Sequence, residues 1–328
     1  MKRRAFRRLL IAVLAAAALL PAQIANAQGG SNRKVGVILQ GGSWYEVVEG
    51  VREGLKSLGL LEGKQFILDI HDTHGDLKAA GQAARDLEQQ QIAVIYALAT
   101  SVSVAAKGAT EKIPIVFVAG TNPVAVGLVE SIPRPGGRLT GVQFRATDLT
   151  GKRLEILREI VPTLHRVVAF YDPRNPSAIE SAREAREAAR NLGVQVIERH
   201  VASVEELQKA VEAFKGDEAD AVIAISDAMV DSHIQYVIDM ANAKKLPSML
   251  YDPGAVTKGG LATYSADYNE IGRLSAKYIQ RVLDGVNPAD LPVEGADKLS
   301  FVINLKTAKK IGLAIPESIL ARADRVIE

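Results

Sequence analysis

The chain has 328 residues, of which 48% are hydrophobic and 24% charged, and its formal net charge is +2. This length and balance are typical of a globular chain that can form two domains. The sequence contains no cysteine, which excludes disulfides, thiolate metal sites, cysteine nucleophiles and a lipidated N-terminal cysteine.

The first residues have the pattern of an export signal. The basic stretch KRRAFRR is followed by the apolar run LLIAVLAAAALL and by the small-residue site ANA at 25–27. We therefore predict a signal peptide at 1–27, cleaved after about Ala27, and a polar leader at 28–33. The apolar run is shorter than the ~20 residues of a membrane anchor. The general secretory route and the twin-arginine route both stay open, because Arg3 and Arg4 are adjacent.

Removal of this segment changes the charge balance. The remaining chain carries 35 basic and 38 acidic side chains, a net charge of −3. Proteins that bind nucleic acid cluster lysine and arginine on one surface. We therefore expect no nucleic-acid partner.

Alternating strand and helix patterns follow the leader. Short apolar runs predict strands at 35–39, 66–70, 92–98 and from 113 onward. Apolar residues three or four positions apart predict helices around 47–58, at 76–90 and from 100 onward. Proline and glycine at 131–141 then end the series, because this density continues neither a helix nor a central strand.

The same rhythm repeats in the second half. Helices are predicted at 149–160, 177–192, 204–214 and 234–243, and strands at 167–171, 194–197, 221–225 and 248–251. A second crossing falls near 252–264. Buried strands that alternate with helices indicate parallel sheets covered on both faces, so the predicted fold class is α/β with two doubly wound parallel-sheet lobes.

Two long motifs carry a resemblance to a known family. The blocks NPVAVGLV and RPGGRLTG lie between 122 and 141, and INLKTAKKIGLAIP spans 303–316. From about Lys34 to its end the chain resembles substrate-binding proteins of a bacterial ABC-transporter family that includes tryptophan- and phenylalanine-binding members. Asn122 departs from the pattern, because the family usually has an aspartate before this proline.

The resemblance implies a type I periplasmic-binding-protein-like architecture, in which a multi-strand hinge joins the lobes. We expect an N-terminal lobe at 34–145 plus about 266–291. We expect a C-terminal lobe at 146–265 plus about 292–328. Ligands of open parallel sheets bind beyond the carboxyl ends of the strands, so the loops of both lobes should line one cleft.

Nine residues at predicted strand ends are candidates for ligand binding: Ser43, Trp44, Thr100, Ser101, Asn122, Asn175, Ser177, Asp227 and Tyr251. The amide groups and hydroxyls of Thr100 and Ser101 suit a ligand carboxylate, and helix capping is the alternative. Asp227 could hold a ligand ammonium or cap the following helix. The only tryptophan, Trp44, could stack on a flat ligand or belong to the core. Asn175 matches a family feature and could bind the ligand or form an ordinary turn.

Signatures of other functions are weak. No G-x-S-x-G, H-E-x-x-H or P-loop motif occurs, so we predict no catalytic residues. His71 and His74 could chelate a metal, but a polar surface loop is the favoured interpretation, and we predict no metal site and no cofactor.

The resulting functional prediction is an extracytoplasmic solute-binding protein that delivers a small molecule to an ABC importer by lobe closure. The resemblance suggests an amino acid as ligand and leaves open whether it is aromatic. The expected partners are the ligand and the permease subunits, and we expect a periplasmic monomer that is not a lipoprotein. An exported ligand sensor for a membrane receptor and a periplasmic enzyme are the alternatives.

Overall fold

The computed structural model describes residues 33–328. The predicted signal peptide and all but the last residue of the predicted leader lie outside this range. Arg33, the last leader residue, is the first residue of a strand. Within the described range no helix combines the length and apolar character needed to cross a membrane.

The first sheet has six strands, all of them paired in parallel. They are β1 (Arg33–Leu39), β2 (Phe66–Asp72), β3 (Val94–Leu98), β4 (Ile115–Ala119), β5 (Leu139–Gln143) and β11 (Glu294–Gly295), in the spatial order β11-β5-β4-β3-β1-β2. Helices α1 (Trp44–Ser57), α2 (Leu77–Gln89), α3 (Thr100–Ala109) and α9 (Tyr268–Leu283) cover it. We call this sheet and its helices the first lobe.

The second sheet has seven strands. They are β6 (Arg166–Tyr171), β7 (Gln195–His200), β8 (Ala221–Ile223), β9 (Ser248–Leu250), β10 (Ala262–Ala266), β12 (Leu299–Asn304) and β13 (Arg325–Ile327), in the order β13-β12-β10-β9-β8-β6-β7. Its helices are α4 (Leu149–Ile160), α5 (Pro176–Leu192), α6 (Val204–Ala213), α7 (Ala228–Ser232), α8 (Ile234–Ala243), α10 (Leu305–Ile311) and α11 (Glu317–Leu320). We call this group the second lobe.

One strand pair departs from the predicted parallel pattern. Strands β10 and β12 are antiparallel, whereas the other pairs of the second sheet are parallel. The reason is the path of the chain, which leaves the second lobe after β10, builds α9 and β11 in the first lobe, and returns as β12 at the end where β10 finished, since Leu299 pairs with Ala266. Such a return reverses the strand direction.

The crossings between the lobes lie at other positions than the proline and glycine content predicted. The 131–141 segment runs into β5, which still belongs to the first sheet, so the chain crosses after Gln143. The second crossing follows β10 at Asp267, and a third lies between β11 and β12. The prolines and glycines at 131–141 and near 252–264 mark turns within a lobe rather than the passage between lobes.

Arg153 is a buried arginine beside the segments that connect the lobes. This α4 side chain is fully buried. Its Nε donates to the main-chain oxygen of Tyr264 on β10 at 2.7 Å, and its Nη1 donates to that of Ala146 at 3.0 Å. One guanidinium therefore ties the first crossing segment, at Ala146, to β10, the strand that precedes the second crossing.

The α1 and α9 helices of the first lobe pack backbone against backbone. A Cβ added at Gly50 would lie 2.0 Å from the main-chain oxygen of Asn269, and one at Gly272 would lie 2.1 Å from that of Val47. Only glycine permits this approach. It anchors a helix from the last third of the chain onto the first helix.

Candidate functional site

A narrow cavity of about 20 Å³ lies between the lobes. This is room for about one water molecule, so the lobes must part to admit a larger ligand. The first lobe lines the cavity with Gln40, Trp44, Ala99, Thr100, Ser101, Gly120 and Phe144, and the second with Asn175, Ser177, Ser226, Ala228 and Tyr251. The two sets face each other across one space.

The strand order explains why the cavity forms here. Both sheets contain the order 2-1-3-4-5, as β2-β1-β3-β4-β5 in the first lobe and β7-β6-β8-β9-β10 in the second. In such sheets a crevice opens at the carboxyl ends of the two strands where the winding direction reverses. Those strands are β1 and β3 in one lobe and β6 and β8 in the other, and loops after all four line the cavity.

The first-lobe wall exposes the N-terminus of α3. Its N-cap residue, Ala99, has no side-chain acceptor and adopts φ +88° and ψ 150°, a backbone region used almost only by glycine. The hydroxyl of Thr100 is occupied, because it accepts a hydrogen bond from the amide of Gly120 at 2.9 Å. First-turn amide groups without a helical partner attract anions, so this wall suits a carboxylate.

Two aromatic rings, those of Trp44 and Phe144, form the apolar part of the first-lobe wall, and the ring of Tyr268 packs against both. The ring of Trp44 lies 5.0 Å from that of Tyr268 and 5.9 Å from that of Phe144. Gly120 makes room for this cluster, since an added Cβ would lie 2.9 Å from Cζ of Phe144. The indole Nε1 of Trp44 and the hydroxyl of Tyr268 are buried without a partner among the described residues. Rings with unsatisfied polar atoms suit an aromatic ligand that carries polar groups.

The second-lobe wall is held by a hydrogen-bond hub at Asp227. Its buried carboxylate accepts from the amide of Val230 at 2.9 Å, from the amide of Asp172 at 3.2 Å and from Nδ2 of Asn175 at 3.1 Å. Oδ1 of Asn175 accepts from the amide of Ser177 at 3.0 Å. The Asn175 amide is thereby fixed, and its second N–H remains as a donor.

Two pairs of side chains join the lobes beside the cavity. Ser43 of the first lobe donates to Asp252 of the second. Nε2 of Gln40 donates to Oδ2 of Asp231 at 3.4 Å. The main-chain oxygen of Gln40 also accepts from the hydroxyl of Ser232 at 2.9 Å. These bonds describe a closed cleft.

Burial dominates the electrostatics of this interface. It raises the pKa of Asp227, Asp231 and Asp252 above the ordinary aspartate value, because a low-polarity surrounding disfavours the charged form. The charge of Asp252 raises the pKa of Asp231 further, and Lys258 opposes this shift. Burial also lowers the pKa of Arg153 to about 10.

The structure brings six of the nine candidate residues to the cavity surface: Trp44, Thr100, Ser101, Asn175, Ser177 and Tyr251. Ser43 and Asp227 lie directly behind it, bonded to Asp252 and Asn175. Asn122 is exposed and does not line the cavity. Its side chain accepts from the amides of Val124 and Ala125, which closes a local turn.

Two of the open alternatives can now be compared with the geometry. Asp227 caps α7 through the amide of Val230, the structural role weighed against ligand binding. Trp44 is only 2% exposed and also lines the cavity, so it belongs both to the core and to the cavity wall. His71 and His74 lie 3.3 Å from Asp69 and Asp72, and residues 33–328 contain no cluster of three metal-ligating side chains.

Sequence reasoning missed Phe144, Asp231 and the backbone strain at Ala99. Phe144 follows the proline- and glycine-rich stretch and reaches the cleft because β5 pairs with β4. Asp231 meets Gln40 across 191 positions of sequence. Position 99 is an alanine, so no glycine in the sequence indicated the positive φ there.

Two lobes with a shared cavity at their switch points define a bilobed small-molecule-binding protein. A profile of the family described as ABC transporter substrate binding protein matches residues 34–327. The chain belongs to this family, which confirms the resemblance seen in the motifs.

Individual relatives agree with this assignment. The chain is 26% identical to a tyrosine-binding protein of Clostridioides difficile over 81% of its own length and 76% of the relative's. A conserved domain protein from Vibrio cholerae O1 biovar eltor has a TM-score of 0.84 and 30% identity, covering 90% of this chain and 99% of that one. An ABC domain from Streptococcus pneumoniae in complex with L-Trp has a TM-score of 0.83 and 27% identity, covering 90% and 100%. The predicted fold class is confirmed.

Proposed function

We propose that the protein binds an aromatic α-amino acid between its lobes and delivers it to an ABC importer. The observation that carries the proposal is the chemistry of the cavity surface, where the rings of Trp44 and Phe144, backed by Tyr268, meet an uncapped helix N-terminus at Ser101. The relatives that bind tyrosine and L-Trp support the same ligand class.

Each part of such a ligand has a matching group. The carboxylate is placed at the first turn of α3, where the amides and the hydroxyl of Ser101 donate, together with the remaining N–H of Asn175. The side chain lies against the rings. The lobes close over the ligand because the closed form alone offers both walls at once, and this difference in affinity drives the closure.

Export and delivery complete the proposal. Residues 1–27 act as the signal peptide, the mature chain is a periplasmic monomer, and the closed form docks on the permease subunits. N-terminal sequencing of the exported chain is expected to begin at Gln28. ATP hydrolysis by the reconstituted permease should rise when the liganded protein is added, and a lack of stimulation would favour the sensor alternative.

Titration calorimetry of the mature chain tests the ligand class. The panel comprises L-tryptophan, L-tyrosine, L-phenylalanine, their D-enantiomers, aliphatic amino acids and the sugars allitol and 5-methylthioribose. We expect heat with at least one aromatic L-amino acid, and we expect that ligand to be recovered chemically unchanged. No heat with any of the three, or tighter binding of a sugar, would overturn the ligand class.

A further inference from the structure

Gln40 is a buried residue of the cavity wall with one unpaired polar atom. It follows β1 and is 3% exposed. Its Nε2 donates to Asp231 of the opposite lobe, whereas its Oε1 has no partner within the described part of the chain. A buried acceptor without a donor costs about 1–3 kcal/mol, so such an atom calls for an explanation.

The position of Asp231 decides which end of the Gln40 amide faces the cavity. The Nε2 of Gln40 donates to Oδ2 of Asp231, so the amide has its NH₂ group toward Asp231 and its oxygen away from it. The main-chain oxygen of Gln40 is held by the hydroxyl of Ser232, which fixes the backbone next to the cavity. The unpaired Oε1 therefore belongs to a side chain with a defined orientation.

We propose that Gln40 recognises a hydrogen-bond donor on the ligand, which for an α-amino acid is the ammonium group, and that Asp231 is the positioning residue that orients the Gln40 amide. This inference rests on the proposed function and adds the group that distinguishes an amino acid from an aromatic acid without an amine. Asp227 does not serve this purpose, because Asn175 and two main-chain amides already occupy it.

The assignment also links specificity to closure. Gln40 belongs to the first lobe and Asp231 to the second, so their bond exists only when the lobes meet. In an open cleft the amide is free to turn and presents either a donor or an acceptor. Discrimination between ligands is thus completed by the closing movement, and a ligand without a donor leaves Oε1 buried and unpaired.

The test compares paired ligands that differ only in the amine. Dissociation constants of the mature protein are measured for L-tryptophan and indole-3-propionate, for L-tyrosine and 3-(4-hydroxyphenyl)propionate, and for L-phenylalanine and 3-phenylpropionate. A hydrogen bond to a charged donor contributes about 1.5–3 kcal/mol, so the wild type should prefer the amino acid about 10-fold to 100-fold. In Gln40→Met this ratio should fall close to one, because amino-acid binding weakens more than binding of the acid without an amine.

Two further variants separate orientation from closure. Asp231→Asn offers a donor to the amide oxygen and allows the amide to turn, so the ratio should also fall. Asp252→Asn alters the other inter-lobe pair, that with Ser43, and should weaken both ligands of a pair alike while the ratio stays near the wild-type value. Thermal unfolding of each variant confirms that the protein is folded.

The outcomes distinguish the two proposals. A wild-type protein that binds an aromatic amino acid but shows an unchanged ratio in Gln40→Met overturns the role of Gln40 and leaves the proposed function standing. A normal ratio in Asp231→Asn overturns the positioning role of Asp231. A wild type that binds none of the three amino acids overturns the proposed function and this inference together.

Discussion

The two walls of the cavity offer a ligand different kinds of contact. The first-lobe wall consists of rings, main-chain amides and neutral side chains such as Gln40 and Ser101, and none of its lining residues is acidic or basic. The second-lobe wall is neutral at its surface but is supported from behind by three buried carboxylates, Asp227, Asp231 and Asp252. Carboxyl groups therefore stand behind one side of the cavity, and amide donors line the other.

The walls differ in their local strain as well. Ala99 on the first wall adopts a backbone conformation that costs on the order of 1–3 kcal/mol for a residue other than glycine. The second wall is instead ordered by side-chain hydrogen bonds around Asp227. The first wall thus depends on backbone geometry, and the second on a satisfied polar network. Each can be disturbed separately.

The largest effect is expected at the aromatic cluster of the first wall. Trp44→Ala removes a buried ring that packs on Phe144 and Tyr268, and should lower the free energy of unfolding by about 3–5 kcal/mol. Ligand affinity should fall with it. Denaturant unfolding and calorimetry measure the two quantities.

Phe170→Ala is the matched control for this variant. Phe170 is a buried ring of the second lobe that packs edge-on against Phe214 at 6.3 Å and does not line the cavity. The Phe170→Ala variant should lose comparable stability but keep the wild-type ligand affinity under conditions where it is folded. Undiminished affinity in Trp44→Ala would show that the rings serve the core alone.

The hub of the second wall should come next. Asp227→Ala leaves the amides of Val230 and Asp172 and the Asn175 side chain without their acceptor, and should cost about 2–4 kcal/mol of stability. Asp76→Ala is the control, because Asp76 also caps a helix but is exposed, and should cost about 1 kcal/mol. Chemical denaturation measures both, and equal losses would contradict the proposed hub.

A smaller and more selective effect is expected at the start of α3. Ser101→Ala removes a hydroxyl that makes no hydrogen bond to other described residues, so stability should stay within about 0.5 kcal/mol. Ligand affinity should fall about 3-fold to 10-fold, the value of one hydrogen bond. Thr100→Ala should lower the stability and leave the ligand affinity nearly unchanged, because the Thr100 hydroxyl accepts a hydrogen bond from the amide of Gly120. Calorimetry that finds Ser101→Ala unaltered would exclude a contact between this hydroxyl and the ligand.

The smallest effect concerns pH. Burial holds the pKa of Asp252 above the ordinary value of 3.8, whereas the hydrogen bond from Ser43, the charge of Lys258 and the amides of Gly254 and Ala255 oppose this shift. The folded protein therefore keeps this proton to higher pH than the unfolded chain, and the contribution to stability falls as pH rises from the ordinary aspartate range through the raised pKa.

Asp252→Asn removes this titration. The difference in unfolding free energy between the variant and the wild type should grow in favour of the variant as pH rises through that window, and should level off above it. Denaturant titrations at several pH values measure this difference. A difference independent of pH would mean that Asp252 keeps an ordinary pKa in the folded protein.

Much of this architecture could be predicted from periodicity. The charged helix predicted at 177–192 is α5, Pro176–Leu192, and the predicted strand at 35–39 lies within β1. Such segments can be predicted because the pattern of buried and exposed residues repeats within a short stretch of sequence. The candidate residues at strand ends could be chosen for the same reason, since parallel topology places those ends on one side.

What could not be predicted depends on contacts between distant parts of the chain. The pairing of Gln40 with Asp231 arises only when two lobes close, and no local pattern marks it. Likewise, the strain at Ala99 follows from how α3 is attached to β3. The antiparallel β10–β12 pair reflects a return path that hydrophobic periodicity does not encode.

The glycine-lined crossing of α1 and α9 has a consequence for biosynthesis. The first lobe starts at Arg33 but lacks α9 until the ribosome has made residue 283. The close contact at Gly50 and Gly272 leaves no space for a side chain at either position. A nascent chain that ends before this point therefore displays an apolar α1 surface without its cover. Completion of the first lobe awaits translation of nearly the whole polypeptide, so a truncated product should be a substrate for chaperones and proteases rather than a stable half-molecule.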